Sequence, residues 1–197
     1  MQYRIIEAED ILQKIATTAR ENGNKFLQEL KERNGVKFAC DGNRVGIILP
    51  EGIDDWNFAD AYFDTGDKNN PKLELINTFI NRNNNGFHFE IPKEQAAGLI
   101  GVLNYFNDLK EDSSEKIMIG LNVNTMEIIK IETIKNLINK PNERIIAFNL
   151  QYLKEALDFI MCSDNENIEI YYTGNAQSFI MKSSRLYAAV MPVRIQA

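Results

Sequence analysis

His88 is the only histidine in the chain, so a serine or cysteine nucleophile activated by imidazole would have to use it. It lies in Phe87 to Ile91, where Phe87, Phe89 and Ile91 alternate with His88 and Glu90, the period of a strand with one buried face. That alternation turns His88 toward solvent, away from any enclosed site. Cys40 and Cys162 are far apart, with no CxxC spacing, and read as small reduced apolar residues rather than as a disulfide framework or a zinc site. Glu51, Asp54, Asp55, Asp60, Asp64 and Asp67 form an acidic stretch without lysine or arginine. It lacks the ligand spacing and terminal glutamate of a calcium loop, so it reads as solvated chain. Neither GxGxxG nor GxxxxGK[ST] occurs. The expectation is a protein without catalytic residue, metal or cofactor; enzymatic function would rest on paired carboxylates that carry no local signature.

At 197 residues, with 44% hydrophobic and 25% charged residues, the composition is that of a globular chain able to build a core. No apolar run reaches the roughly 18 residues of a membrane span, and MQYRIIEAED lacks the basic-then-apolar order of a signal peptide. Both point to a cytoplasmic location. The net charge of -6 has the wrong sign for a tight grip on nucleic acid, which needs a basic face.

The elements recur in three copies of strand, helix and strands. In the first, Tyr3 to Ile6 reads as a strand, followed by a helix from Ala8 with Ile11, Leu12, Ile15, Ala16 and Ala19 on one face. Asn22 to Asn24 ends it. Phe26 to Glu32 reads as a second helical stretch, and Val36 to Ala39 with Val45 to Leu49 as a hairpin around Asp41-Gly42. The second copy has the strand Phe87 to Ile91, then a helix with Pro92 near its start and Ala96, Ala97, Ile100, Leu103 and Phe106 as its apolar stripe. Gly98 and Gly101 weaken that helix by about 1 kcal/mol each relative to alanine. Ile117 to Leu121 and Met126 to Ile131 form a hairpin. The third copy has the strand Arg144 to Phe148, Asn149 as N-cap, and a helix burying Leu150, Leu153, Ala156, Leu157 and Ile160. Three strands follow: Ile168 to Tyr172, Gln177 to Met181 and Leu186 to Val193. Copies two and three make one α+β domain of two helices on antiparallel sheet, and copy one makes half of another.

YAAVMPVRI (Tyr187 to Ile195), FNLQYLKEAL (Phe148 to Leu157) and, more faintly, TGDKNNPKLELI (Thr65 to Ile76) resemble, in this order and spacing, segments of the β subunit of bacterial DNA polymerase III, the replicative sliding clamp. In the last segment Asn70 stands where an aromatic residue is usual. The resemblance makes residues 66–197 a complete C-terminal clamp domain and residues 1–65, with VKFACDGNRVGIIL, the second half of a middle domain. It implies a DNA-clamp-like fold of antiparallel sheets and paired helices. It also implies a non-enzymatic processivity role in DNA replication, as a homo-oligomeric ring around duplex DNA that tethers polymerase and other clamp-binding proteins by their short peptides. The peptide groove would be walled by Pro71, Leu75, Ile76, Asn149, Tyr152, Ala176, Ser178, Val190, Met191, Pro192, Val193 and Arg194. In the family one wall comes from the front of the middle domain, which has no counterpart here, so the groove is expected to be half open. The cations toward DNA would be Lys14, Arg20, Lys25, Lys93 and Lys154, fewer than the roughly six to ten phosphate contacts of a useful open binder.

Structural alternatives stand beside these assignments. Val190, Met191 and Val193 suit a strand core with Pro192 at its edge, Asn149 is explained by capping alone, and the lysines suit solvated helix faces. The scarcity of cations also fits a module that captures clamp-binding peptides without encircling DNA.

Overall fold

The computed structural model describes residues 2–21, 29–33, 35–52, 87–110, 116–130, 145–172 and 178–193, with backbone only for residues 2, 3, 20, 33 and 130. The chain opens with helix α1 (Gln2–Glu21), then strands β1 (Lys31–Arg33), β2 (Val36–Cys40) and β3 (Arg44–Ile48). The second unit is β4 (Phe87–Pro92), helix α2 (Lys93–Asp108), β5 (Met118–Asn122) and β6 (Glu127–Lys130). The third is β7 (Ile145–Asn149), helix α3 (Leu150–Met161), β8 (Asn167–Tyr172), β9 (Phe179–Ser183) and β10 (Leu186–Val190).

Among the described residues the strands form two antiparallel sheets, ordered β1-β2-β3-β10-β9-β8-β4 and β6-β5-β7. The second and third units exchange their opening strands. β4 joins β8 at the edge of the third unit's meander, and β7 joins β5 of the second unit. Each unit thereby supplies the hydrogen-bond partner that the other's edge requires. The first unit joins through β3, which pairs β10 with Ala188 opposite Gly46. Among the described residues this is an α+β arrangement of antiparallel sheets backed by three helices, as the resemblance implies.

Helix α3 is central. It begins where the Asn149 carboxamide accepts hydrogen bonds from the backbone N–H of Gln151 and Tyr152, satisfying donors that a helix start leaves unpaired. Its inward face, Leu150, Leu153, Ala156, Leu157 and Ile160, is buried together with Phe159. The helix packs against α1, α2 and strands of both sheets, and Phe148 meets Phe179 edge-on with ring centroids 5.5 Å apart. Truncating one of these large side chains costs about 3–5 kcal/mol.

Several expectations change. Tyr3 to Ile6 is not a strand but the first turns of α1. Ile5 packs on the core while Ala8, Leu12, Ile15, Ala16 and Ala19 are buried, so the helical stripe runs back through the β-branched residues that suggested a strand. Of the second helical stretch, residues 26–28 lie outside the described residues, and Lys31 and Glu32 belong to strand β1, not to a helix. The overlooked cue is Asn34-Gly35, a hairpin dipeptide: Gly35 has φ +81° and β1 pairs β2 directly after it. On α2 the buried residues are Ala96, Leu99 and Leu103, with Ile100 and Phe106 half-buried and Ala97 exposed. The apolar stripe is therefore rotated by part of a turn. Phe87, expected inside, is 52% exposed, because β4 is the sheet's edge strand and Phe87 its first residue. The closing strand stops at Val190.

α1 sits unusually close to β3. A Cβ built on Gly46 would lie 2.4 Å from Leu12 Cδ2, so the absent side chain is what lets the helix seat. Cys40 and Cys162 are free and buried. Among the described residues no helix is long and apolar enough to cross a membrane, and most of the acidic stretch lies outside the described residues.

Candidate functional site

The β2–β3 turn is built by Asp41, whose Oδ1 accepts from the backbone N–H of Asn43 at 2.9 Å and of Arg44 at 3.0 Å, while Gly42 takes φ +93°. An aspartate turn followed by glycine is what a tight reversal calls for. Arg44 then points inward. It is 3% exposed, donates through Nε to Asp41 Oδ2 at 2.9 Å, through one terminal nitrogen to Glu155 of α3, and through the other to Thr18 Oγ1 of α1 at 3.1 Å. Its guanidinium lies over the Tyr152 ring, 4.7 Å from the centroid. Glu155 is held in turn by the Gln151 side-chain amide at 2.6 Å. A buried charge is tolerated only when paired and fully hydrogen-bonded, and here the partners come from three elements far apart in sequence.

This cluster lies against Tyr152, one of the residues expected to line the groove. The turn reaches the groove residues at two points: the Arg44 guanidinium covers Tyr152, and the Asn43 carbonyl accepts from the Met191 N–H at 2.7 Å. Two residues on, the Val193 N–H donates to the Ala147 carbonyl of β7 at 2.8 Å. Residues 191–193 thus cross from one sheet to the other, and Pro192, which has no N–H to offer, stands at the step. Burial raises the Tyr152 phenol above its ordinary range, the Asp41 carboxylate adding to it, while Arg44 and the nearby Asn43 side chain pull the other way. Tyr152 is therefore a neutral, fixed, half-buried ring.

Of the sequence-derived groove set, Asn149, Tyr152, Met191 and Pro192 are half-buried and Val193 is 39% exposed. Val190 belongs to the main core and Ser178 is buried, so neither offers surface. Pro71, Leu75, Ile76, Ala176 and Arg194 lie outside the described residues. Sequence reading missed Asn43 and Arg44. The available signal was Asp41-Gly42-Asn43-Arg44 itself, read only as a turn, whereas its position against Tyr152 and Met191 depends on the distant β3–β10 pairing.

The cations proposed to face DNA are dispersed. Lys14 is exposed on α1. Lys93 donates to the Ser163 carbonyl beyond the end of α3, to which Arg4 also donates at 3.2 Å; burial, then Arg4, lowers the Lys93 ammonium below its ordinary range. Lys154 pairs with Asp158 at 2.7 Å along α3. The Arg20 side chain and Lys25 lie outside the described residues. His88 stacks on Tyr171, ring centroids 4.5 Å apart, with Nε2 3.5 Å from Glu169. Glu169 also accepts from the Tyr171 hydroxyl and pairs with Lys182 at 3.3 Å. Desolvation alone would raise that carboxyl, but the Tyr171 bond and Lys182 outweigh it and hold it below the ordinary range. Among the described residues no group of three His, Cys, Asp or Glu converges as a metal site would require.

A separate open pocket of about 410 Å³ lies between β4, the start of α2, the β5–β6 turn and Tyr172, lined by Phe87, Phe89, Ile91, Val123 and Met126 among others. Met126 is held there at φ +57°, an uncommon conformation for a residue with a side chain. This pocket contains none of the residues expected to line the groove.

No protein-family model matches the sequence, and no curated protein matches it. Solved structures do resemble the fold. The β subunit of the DNA polymerase of Streptococcus pyogenes superposes with a TM-score of 0.51 at 12% identity, covering 95% of this chain and 64% of that one. DNA polymerase III subunit β of Borrelia burgdorferi, solved in complex with a natural product, gives a TM-score of 0.51 at 13% identity over 96% of this chain and 63% of that one. The likeness is one of fold, and the chain spans just under two thirds of the length of these structures.

Proposed function

We propose that this chain is a non-catalytic, clamp-like docking protein that captures short peptide segments of replication or repair proteins. The slot lies between the start of α3 (Asn149, Tyr152), residues 191–193 and the Asp41 to Arg44 turn. The observation that carries the reading is that the Asp41 to Arg44 turn holds both walls, with the Arg44 guanidinium 4.7 Å over the Tyr152 ring and the Asn43 carbonyl accepting from the Met191 N–H at 2.7 Å. The first unit thereby provides a wall of its own to a groove expected to be half open. A fixed aromatic ring, a proline step and a few placed polar groups suit an extended peptide with one or two apolar side chains. We further assign residues 1–65 to a partial clamp-like domain and residues 66–197 to a complete one, joined at the β3–β10 seam.

The cation inventory favours capture without encirclement. Two of the proposed DNA contacts, Lys93 and Lys154, are engaged within the protein, which leaves few charges for phosphate. Tethering to duplex DNA is the companion reading and requires a closed ring. A fluorescent clamp-binding peptide titrated into the full chain should bind, and Tyr152→Ala with Met191→Glu should abolish binding while the fold persists by circular dichroism. Retention on nicked circular DNA would establish the tethering form. Absence of peptide binding even at high micromolar concentration removes both readings.

A further inference from the structure

Strand β4 ends the larger sheet, and its hydrogen bonds with β8 can be placed one by one. The Lys93 N–H donates to the Glu166 carbonyl at 2.9 Å, one step past the paired Pro92 and Asn167. Hydrogen-bonded pairs alternate along an antiparallel ladder, so Ile91 with Ile168, Phe89 with Ile170 and Phe87 with Tyr172 spend their backbone groups on β8. The N–H and C=O of His88 and Glu90 therefore point the other way, to the side where no strand follows among the described residues. Pro92 closes that row, since it has no N–H to add. Such a row of edge groups is a template for another strand.

The same edge borders the open pocket of about 410 Å³. Phe89, Ile91 and Tyr172 line one side of it and Val123 and Met126 the other, with the exposed Gln95 at its rim. Side chains of an added strand standing beside Phe89 and Ile91 would point the same way as these two, into the pocket. The far wall is set in advance. Asn122 accepts from the Asn124 N–H by its carboxamide at 3.0 Å and from the Met126 N–H by its backbone carbonyl at 2.7 Å, with Met126 at φ +57°. On the other face of β4, Glu90 stands directly across from Glu169, a like-charge pair that disfavours the ladder. Lys182 answers Glu169 at 3.3 Å, whereas among the described residues Glu90 receives only the Asn167 side-chain amide, at 3.3 Å. Backbone hydrogen bonds, an apolar cavity and a carboxylate lacking a cation thus lie side by side.

We propose that the outer edge of β4 takes up an extended segment of a partner protein as an added strand, with apolar side chains at two alternate positions and a lysine or arginine between them. The segment runs antiparallel to β4, as the neighbouring strands do. Its cationic residue lies opposite Glu90, exchanging both backbone hydrogen bonds with it and bringing its charge to the carboxylate. The two apolar side chains flank Phe89 and Ile91 and fill the pocket. Main-chain bonds give such a contact its affinity and the alternate side chains its selectivity, and the preformed far wall lowers the ordering cost. No slot residue lines this pocket, so this inference and the slot reading can fail separately.

The test is a short fluorescein-labelled peptide with valine-lysine-valine at its centre, titrated into the full chain by anisotropy, with amide exchange of the labelled protein followed by NMR. The peptide should bind, and the His88 and Glu90 amides, which exchange freely in the chain alone, should become protected. Methylating the backbone nitrogen of the lysine should raise the dissociation constant about tenfold or more, while methylating that of the following valine, which faces away from β4, should change it little. Glu90→Lys should weaken binding about two- to fivefold, and a peptide with glutamate in place of the lysine should recover it. Gln95→Trp, which closes the pocket from an exposed position, should weaken binding about tenfold with an unchanged melting temperature, and Tyr152→Ala with Met191→Glu should leave it as it was. The inference is overturned by the absence of binding at high micromolar concentration or by an affinity indifferent to which nitrogen is methylated. It is equally overturned by His88 and Glu90 amides already protected without peptide, whether by the chain itself or, with rising concentration, by a second copy.

Discussion

The Asp41 to Arg44 turn with the start of α3 and the outer flank of α2 are built on opposite plans. Around Arg44 nearly every polar atom is committed: Asp41, Glu155 and Thr18 take the guanidinium, Tyr152 lies under it, and the Asn43 carbonyl holds the closing segment at Met191. On α2 the glycines face open space and three large apolar side chains stand in solvent. The first region is fixed by contacts within the chain, and charges buried there leave no room for an alternative arrangement. In the second, among the described residues, Tyr105 meets only Phe106 of its own helix, edge-on with ring centroids 5.8 Å apart. A slot that must hold one shape for a passing peptide benefits from the first plan.

The largest test of this contrast is Arg44→Ala. It strips Asp41, whose side chain is wholly buried, of its counter-ion, and should cost about 3–5 kcal/mol by urea denaturation. Tyr105→Ser on α2 should leave the same midpoint nearly unmoved, within about 0.5 kcal/mol, as surface changes do. Comparable losses from the two would erase the distinction. Next comes Gly46→Val, which drives a branched side chain into Leu12 where α1 seats on β3. Overpacking of that kind costs about 1–3 kcal/mol, a loss that thermal melting resolves. Asn149→Ala should cost about 1 kcal/mol through the lost cap and should also loosen the slot, so that peptide affinity falls with stability.

The last expectation concerns alkali and is absent at neutral pH. Burial, with Glu7 and Asp158 adding to it, pushes the Cys162 thiol up to about 11. The folded protein therefore holds that proton more tightly than the unfolded chain does. The resulting stability is complete below the ordinary thiol pKa and is lost as pH rises toward about 11. Denaturation midpoints should fall over that window, and Cys162→Ala should flatten the fall; an unchanged profile in the variant would mean that another group governs the alkaline limb.

Much of the architecture was legible locally. β4, the β5–β6 hairpin, the Asn149 cap with α3 and the succession of β8, β9 and β10 all announce themselves through period and turn chemistry within a dozen residues. The misreadings were local as well. A β-branched pair at Ile5 and Ile6 outweighed a stripe that continues into α1, and Asn34-Gly35 was passed over, so β1 was taken for helix.

By itself the sequence determined the elements from β4 onward, where α3 begins, that His88 sits on a solvent-facing strand position, and the sliding-clamp resemblance of its closing strand. The tertiary structure alone decided the exchange of β4 and β7 between units, the β3–β10 seam, the convergence of Arg44 with Thr18 and Glu155, and which side of α2 stays uncovered. The reason is physical: period and caps are energies between neighbours along the chain, whereas strand partners and buried ion pairs join residues separated by long stretches, and their register follows from how the whole core closes.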